Sequence, residues 1–115
     1  MEKKKTIFVD IDGTIFKYRK FDTMESTPAV INWGVVNFLQ KMHEEGNMII
    51  LTSARPESLY RFTANEMNHN NIPFDRMVLG IERGPRYLIN DMDPEIDEPR
   101  AICYNLPRDV GHIEH

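Results

Sequence analysis

The chain has a single cysteine, Cys103, which excludes an internal disulfide and any metal site built from several thiolates. That thiol is expected to pack as a small buried hydrophobe. No apolar run approaches the roughly 18 residues of a membrane-spanning helix, and the charged start Met1-Glu2-Lys3-Lys4-Lys5 runs straight into a strand-like stretch instead of a signal-peptide core. A cytoplasmic protein without membrane contact is expected. Positive charge is not in excess: a formal net charge of -4 leaves no general nucleic-acid footprint. Neither GxGxxG nor GxxxxGK followed by Ser or Thr occurs, so nucleotide binding has no separate support. Repeats and low-complexity tracts are also lacking, and no lysine follows Lys41. What remains, 115 residues at 41% hydrophobic and 28% charged, has the composition of one ordinary soluble domain spanning 1–115, with little room for insertions.

The stretch Ile7-Phe8-Val9-Asp10-Ile11-Asp12-Gly13-Thr14 stands out. Three β-formers without polar alternation read as a strand buried on both faces, which puts the acids at its carboxyl end, where ligands bind in open α/β sheets. Side chains two apart on an extended chain point the same way, so Asp10 and Asp12 face one small volume and Gly13 lets the chain turn. Two carboxylates so close repel unless a cation lies between them or one holds a proton. Magnesium, a hard ion that takes carboxylates, waters and phosphate oxygens, suits them. An aspartate beside such an ion can attack phosphorus, and a second can protonate the departing oxygen and then activate water.

Farther on, Thr27 and Pro28 read as the start of a helix with Ile31, Val35, Phe38, Leu39 and Met42 along one face, closed by Gly46. Trp33 is expected against the sheet or the loop before it. Met48-Ile49-Ile50-Leu51 reads as a second strand, and a right-handed crossover from the first places Thr52 beside Asp10, its hydroxyl available to phosphate oxygens. A second helix opens at Pro56 with Leu59, Phe62 and Met67 inward, then come a short strand at Met77-Val78-Leu79, a strand at Tyr87-Leu88-Ile89 and a last one over Ala101 to Asn105. The Gly80 to Arg86 link is too short for a helical crossover. Asn90-Asp91 follows the fourth strand as Asp10 follows the first, and Asp91 supplies a third carboxylate to the magnesium site beside Asp10 and the backbone carbonyl of Asp12. His43 and His69 are expected at helix ends without a catalytic part, and His112 and His115 are too few to argue for metal.

Asp10-Ile11-Asp12-Gly13-Thr14 resembles the DxDGT signature of the haloacid dehalogenase (HAD) superfamily, most of whose members are magnesium-dependent phosphohydrolases. The resemblance implies a three-layer α/β/α sandwich with a Rossmann-like parallel sheet, the strand at Ile7 central between those at Ile49 and Leu88. It implies Asp10 as nucleophile, Asp12 as general acid/base, Thr52 as the second motif, and Asp10, Asp12 and Asp91 as metal ligands. It also implies a short flap at about 15–26, whose Lys17, Arg19 and Lys20 help attract an anionic substrate, and Arg55 pairing with the phosphate or leaving group. Two departures stand out: Asn90 replaces an acid, and the third motif's lysine is missing, leaving Arg83, preferred here over Arg86, to balance the charge.

These residues imply phosphomonoester hydrolysis through an aspartyl-phosphate. The alternatives are a catalytically silent protein of this fold kept for binding, and a signalling domain that merely accepts a phosphoryl group; the latter would need a late lysine. No segment between motifs is long enough for a cap domain. An open site implies a substrate that brings its own cover, such as a phosphorylated polymer, with a small phosphosugar as the other choice, or a second subunit that closes the site.

Overall fold

A computed structural model describes residues 4–110. Its scaffold is a parallel sheet of three strands in the order β1-β2-β3: β1 (Thr6–Asp10), β2 (Met48–Thr52) and β3 (Arg76–Val78). Helix α1 (Trp33–Glu44) connects the first pair, and α2 (Tyr60–His69), preceded by a 3-10 turn at Glu57–Leu59, the second. Both parallel crossovers step the same way across the sheet, and the right-handed rule for such connections puts both helices on one face. Burial agrees. Ile49, Leu51, Val9 and Met77, which share a face through the register Val9↔Leu51↔Met77, join Val35, Val36 and Leu39 of α1 and Met67 of α2 in one core cluster. The opposite face stays open: Phe8 is 54% and Val78 49% exposed. The expected parallel α/β architecture without a cap is therefore present, while residues 4–110 build helices on one face only. β1 is accordingly buried on one face and not on both.

Several local elements differ from expectation for identifiable reasons. The first helix begins at Trp33, not Pro28, because Ile31 bridges Phe16 and Asn32 donates from its side-chain amide to the Thr14 carbonyl at 3.0 Å. Those pairings hold 28–32 extended, and Thr27 instead donates its hydroxyl to Thr23 O, closing a 3-10 turn at Phe21–Ser26. Trp33 is consequently exposed at 53%. At the far end Gly46 adopts φ +87°, the left-handed conformation that ends a helix cheaply only in glycine.

The strands expected at Tyr87-Leu88-Ile89 and Ala101–Asn105 do not form, and among the described residues β1 is an edge strand, not a central one. A parallel strand beyond β1 would have to begin at the opposite end of the sheet from where β3 stops. Crossing three strands at roughly 4.8 Å spacing while also running back the strand length uses nearly all the roughly 26 Å that eight extended residues span. The chain stays instead at the carboxyl edge, where Gly80 donates to Arg55 O at 2.8 Å and Ile81 to Ser53 O at 3.1 Å. Cys103 lies in this irregular segment and is exposed, not buried.

Candidate active site

The register sets the site. Asp10 and Thr52 are direct partners at the carboxyl ends of β1 and β2, and parallel partners present their side chains to the same side. The chain then turns sharply: Gly13, at φ +85°, donates to Phe16 O at 2.8 Å, and Ile15 donates to Ile11 O at 2.8 Å. Ile11, Ile15 and Phe16 are fully buried, so this turn is anchored in the core and holds Asp12 over the sheet edge. The Thr52 hydroxyl reaches Val9 O only at 3.5 Å, a bond weak enough to yield to a better acceptor. Burial pushes the Asp10 carboxyl above its ordinary value, and the Asp12 charge adds to this; the Ile11 backbone hydrogen bond, Arg86 and Arg55 pull the other way.

Asp12 is gripped by Arg55. Nε donates to Oδ2 and Nη2 to Oδ1, both at 2.9 Å, a two-point fork. Arg55 is fully buried: Nη1 also donates to the Thr63 hydroxyl at 2.9 Å, and both terminal nitrogens stand 3.4 Å from Glu66 Oε1. It is placed there because Ser53, paired through its amide to Val78 O, turns its hydroxyl to accept from the Arg55 amide at 3.0 Å. Arg55 is therefore shut off from solvent and bound to the chain's own Asp12 carboxylate, whereas its sequence position implied a pairing with phosphate or leaving group.

The other expected residues divide. Arg19 is buried, with Nη2 2.7 Å from Glu66, and is not an exposed lure for substrate. Lys17 is exposed on the flap, held by its amide to Val30 O. Arg83 lies 4.5 Å over the Phe21 ring of the flap, whereas the charge of Arg86, like that of Arg55, acts on Asp10 to lower its pKa. Asp91 is three-quarters exposed and 3.5 Å from Arg100. It is not brought to Asp10, and no group of three metal-ligating side chains forms among the described residues. His112 and His115 lie outside the described residues. Sequence reasoning missed Thr63, Glu66 and the structural part of Arg19. A signal existed: Thr63 and Glu66 are three apart on the inward stripe of α2 that carries Met67, and polar residues there need buried partners.

For a divalent ion the donor set is partial. The Asp10 carboxylate and the Asp12 carbonyl, which accepts no backbone hydrogen bond among the described residues, are hard oxygens at one edge. Magnesium commonly takes one or two carboxylates and fills the rest with water and phosphate. The residues fit such an ion without Asp91.

A family model for the polynucleotide kinase PNKP phosphatase domain matches residues 4–83, a span that holds Asp10, Asp12, Thr52 and Arg55 and stops before Arg86 and Asp91. Among solved structures, the crystal structure of a structural-genomics target from Vibrio cholerae aligns with a TM-score of 0.50 at 20% identity, covering 79% of this chain and 85% of that one. No curated protein matches. Among the described residues, no helix is long and apolar enough to cross a membrane.

Proposed function

Because the chain belongs to the family of polynucleotide kinase PNKP phosphatase domains, within the HAD superfamily, we propose that it is a magnesium-dependent phosphomonoesterase working through Asp10. The observation that carries this reading is the pairing of Asp10 with Thr52 at the sheet edge while Arg55 holds Asp12 beside them. An Asp10 oxygen forms a bond to phosphorus as the ester P–O bond breaks, and Asp12, which takes up a proton from solvent as the negative phosphoryl group arrives beside it, gives that proton to the departing oxygen. Water then attacks the aspartyl-phosphate, Asp12 takes its proton, and inorganic phosphate leaves with Asp10 restored. The Thr52 hydroxyl donates to a phosphoryl oxygen and Arg86 offsets the charge gathering there. The Asp10 carboxylate and Asp12 carbonyl would hold magnesium, which neutralises phosphoryl charge when bound.

With no cap over the edge, the leaving group lies in the open, which favours a phosphorylated polymer end over a small phosphosugar. The family's name directs the choice to a polynucleotide end. Two cation–aromatic pairs on the rim, Arg83 over Phe21 and Arg108 at 4.3 Å over Tyr18, offer the stacking and charge a single strand uses. A second subunit is the other way to close the site. The exposed lone thiol of Cys103 suits a reducing compartment, and we place the enzyme in the cytoplasm.

The test compares wild type with Asp10→Asn in magnesium, on a small phosphosugar and on an oligonucleotide carrying a terminal phosphate. Release of phosphate by the wild type alone, faster from the oligonucleotide, is the expected result. No release from either substrate would leave a binding protein of this fold.

A further inference from the structure

We infer that Glu66 is a positioning residue that couples the flap to Asp12; the kinetic half of this inference rests on the phosphatase reading, the structural half does not. Glu66 Oε1 accepts from Arg19 Nη2 at 2.7 Å and stands 3.4 Å from both terminal nitrogens of Arg55. Each arginine uses its remaining reach on a different part of the site. Arg55 grips both oxygens of Asp12. Arg19 donates to Thr27 O at 2.9 Å, the carbonyl of the residue that caps the flap's 3-10 turn, and contacts Met24 O at 3.5 Å, the carbonyl that accepts the capping amide. Between them lies the buried Phe16 ring, with the guanidinium carbons 5.4 Å and 5.8 Å from its centroid.

Charge makes the arrangement cooperative. Two guanidiniums and two carboxylates form a neutral quartet whose members are almost wholly out of water, their side chains 0–11% exposed. Without the Glu66 charge, both cations share one aromatic ring with Asp12 as the single counter-charge, and buried like charges are costly. Arg19 then loses its carboxylate, and its Nε already has no partner among the described residues. The flap loses its anchor while Arg55 loses the support that aims its fork. A displacement of the flap is thus felt at Asp12 through three salt bridges in series, Arg19 to Glu66, Glu66 to Arg55 and Arg55 to Asp12, although Glu66 itself touches neither substrate nor the reacting atoms. A flap that settles on a substrate would align the acid in the same movement.

Two measurements on Glu66→Gln test this, with Glu66→Asp, which keeps the charge on a shorter stem, as the variant that secures a folded protein. The first compares kcat on an alkyl phosphomonoester, whose departing oxygen needs a proton, with kcat on p-nitrophenyl phosphate, whose departing oxygen does not. Misaimed acid catalysis should cost the alkyl ester about tenfold or more beyond any loss on the aryl ester. The second follows amide exchange at Lys17 and Thr27, which donate to Val30 O at 2.8 Å and Met24 O at 3.2 Å. Exchange there should speed by about tenfold relative to the amides of β2. Equal loss on both esters, or flap amides that keep pace with β2, would overturn the coupling. A wild type without turnover would remove the phosphatase reading, and the exchange result would then decide the coupling by itself.

Discussion

Replacing Arg55 with methionine, which keeps the length of the stem and removes the charge, should cost more stability than any other single change near the site. Arg55 is fully buried and makes three bonds of 2.9 Å, two to Asp12 and one to Thr63, with Glu66 close by. The variant leaves Asp12, whose side chain is 6% exposed, and Glu66, at 11%, with buried negative charge that Arg19 alone cannot match. Breaking a buried pair from one side typically costs about 3–5 kcal/mol. Against a total stability of about 5–15 kcal/mol, this is a large share, and for a domain of this size it lowers Tm by roughly 10–20 °C. Arg55→Lys keeps a charge but loses the fork, so its cost should be intermediate. Adding Asp12→Asn to Arg55→Met should recover part of the loss, since one orphaned charge goes with it. Thermal melts by circular dichroism read all three. If Arg55→Met melts within about 2 °C of wild type while KM rises, the guanidinium faces substrate and the inward geometry is wrong.

Three further outcomes follow from the same site. Asp10→Asn should abolish turnover yet raise stability at neutral pH: with the folded pKa above the unfolded one, the native state binds the extra proton, so wild-type stability falls as pH rises through that window, and the variant's advantage should vanish below the ordinary aspartate pKa of 3.8. Urea melts from pH 3 to pH 7 measure it, and an advantage that grows toward acid would contradict the sign. Arg86→Ala should lower kcat by about a hundredfold or more, and Arg83→Ala far less, because of these two Arg86 is the one whose charge acts on Asp10 while Arg83 stacks on Phe21; steady-state kinetics would return the role to Arg83 if the order reversed. Sedimentation with and without a phosphorylated oligonucleotide should find a monomer that binds the strand, and a stable dimer in the free protein would instead point to closure by a second copy.

The signature was legible because its logic is local. Apolar residues, two acids at spacing two and a glycine dictate a strand end, a shared direction and a turn, and the Asp10 to Thr52 pairing followed from one crossover rule. Helix α1 was legible in its core face but not at its start, since the competitor of the Thr27-Pro28 cap was a pairing of Ile31 with Phe16, 15 residues away. The partners of Asp12 were illegible for a related reason. Arg55 sits where an anion ligand would, and nothing within ten residues of it announces that Thr63 and Glu66 turn it inward, except for a polar pair on an apolar helix stripe. The strand at Leu88 failed for a different cause: its residues have strand propensity, but propensity does not supply the connection length needed to reach the sheet.

The edge position of β1 has a consequence for handling the protein. One rim of this strand is a row of amide and carbonyl groups without a neighbouring strand among the described residues, beside an exposed Phe8. Such a rim is a template for another extended chain, and concentrated solutions would tend to join edge to edge. Lys4 and Lys5, at the mouth of the strand, put like charges on any two rims that approach in register, as gatekeeper residues do. Exchanging both for glutamine should therefore shorten the time to visible fibres, and moderate salt should act on the wild type in the same direction.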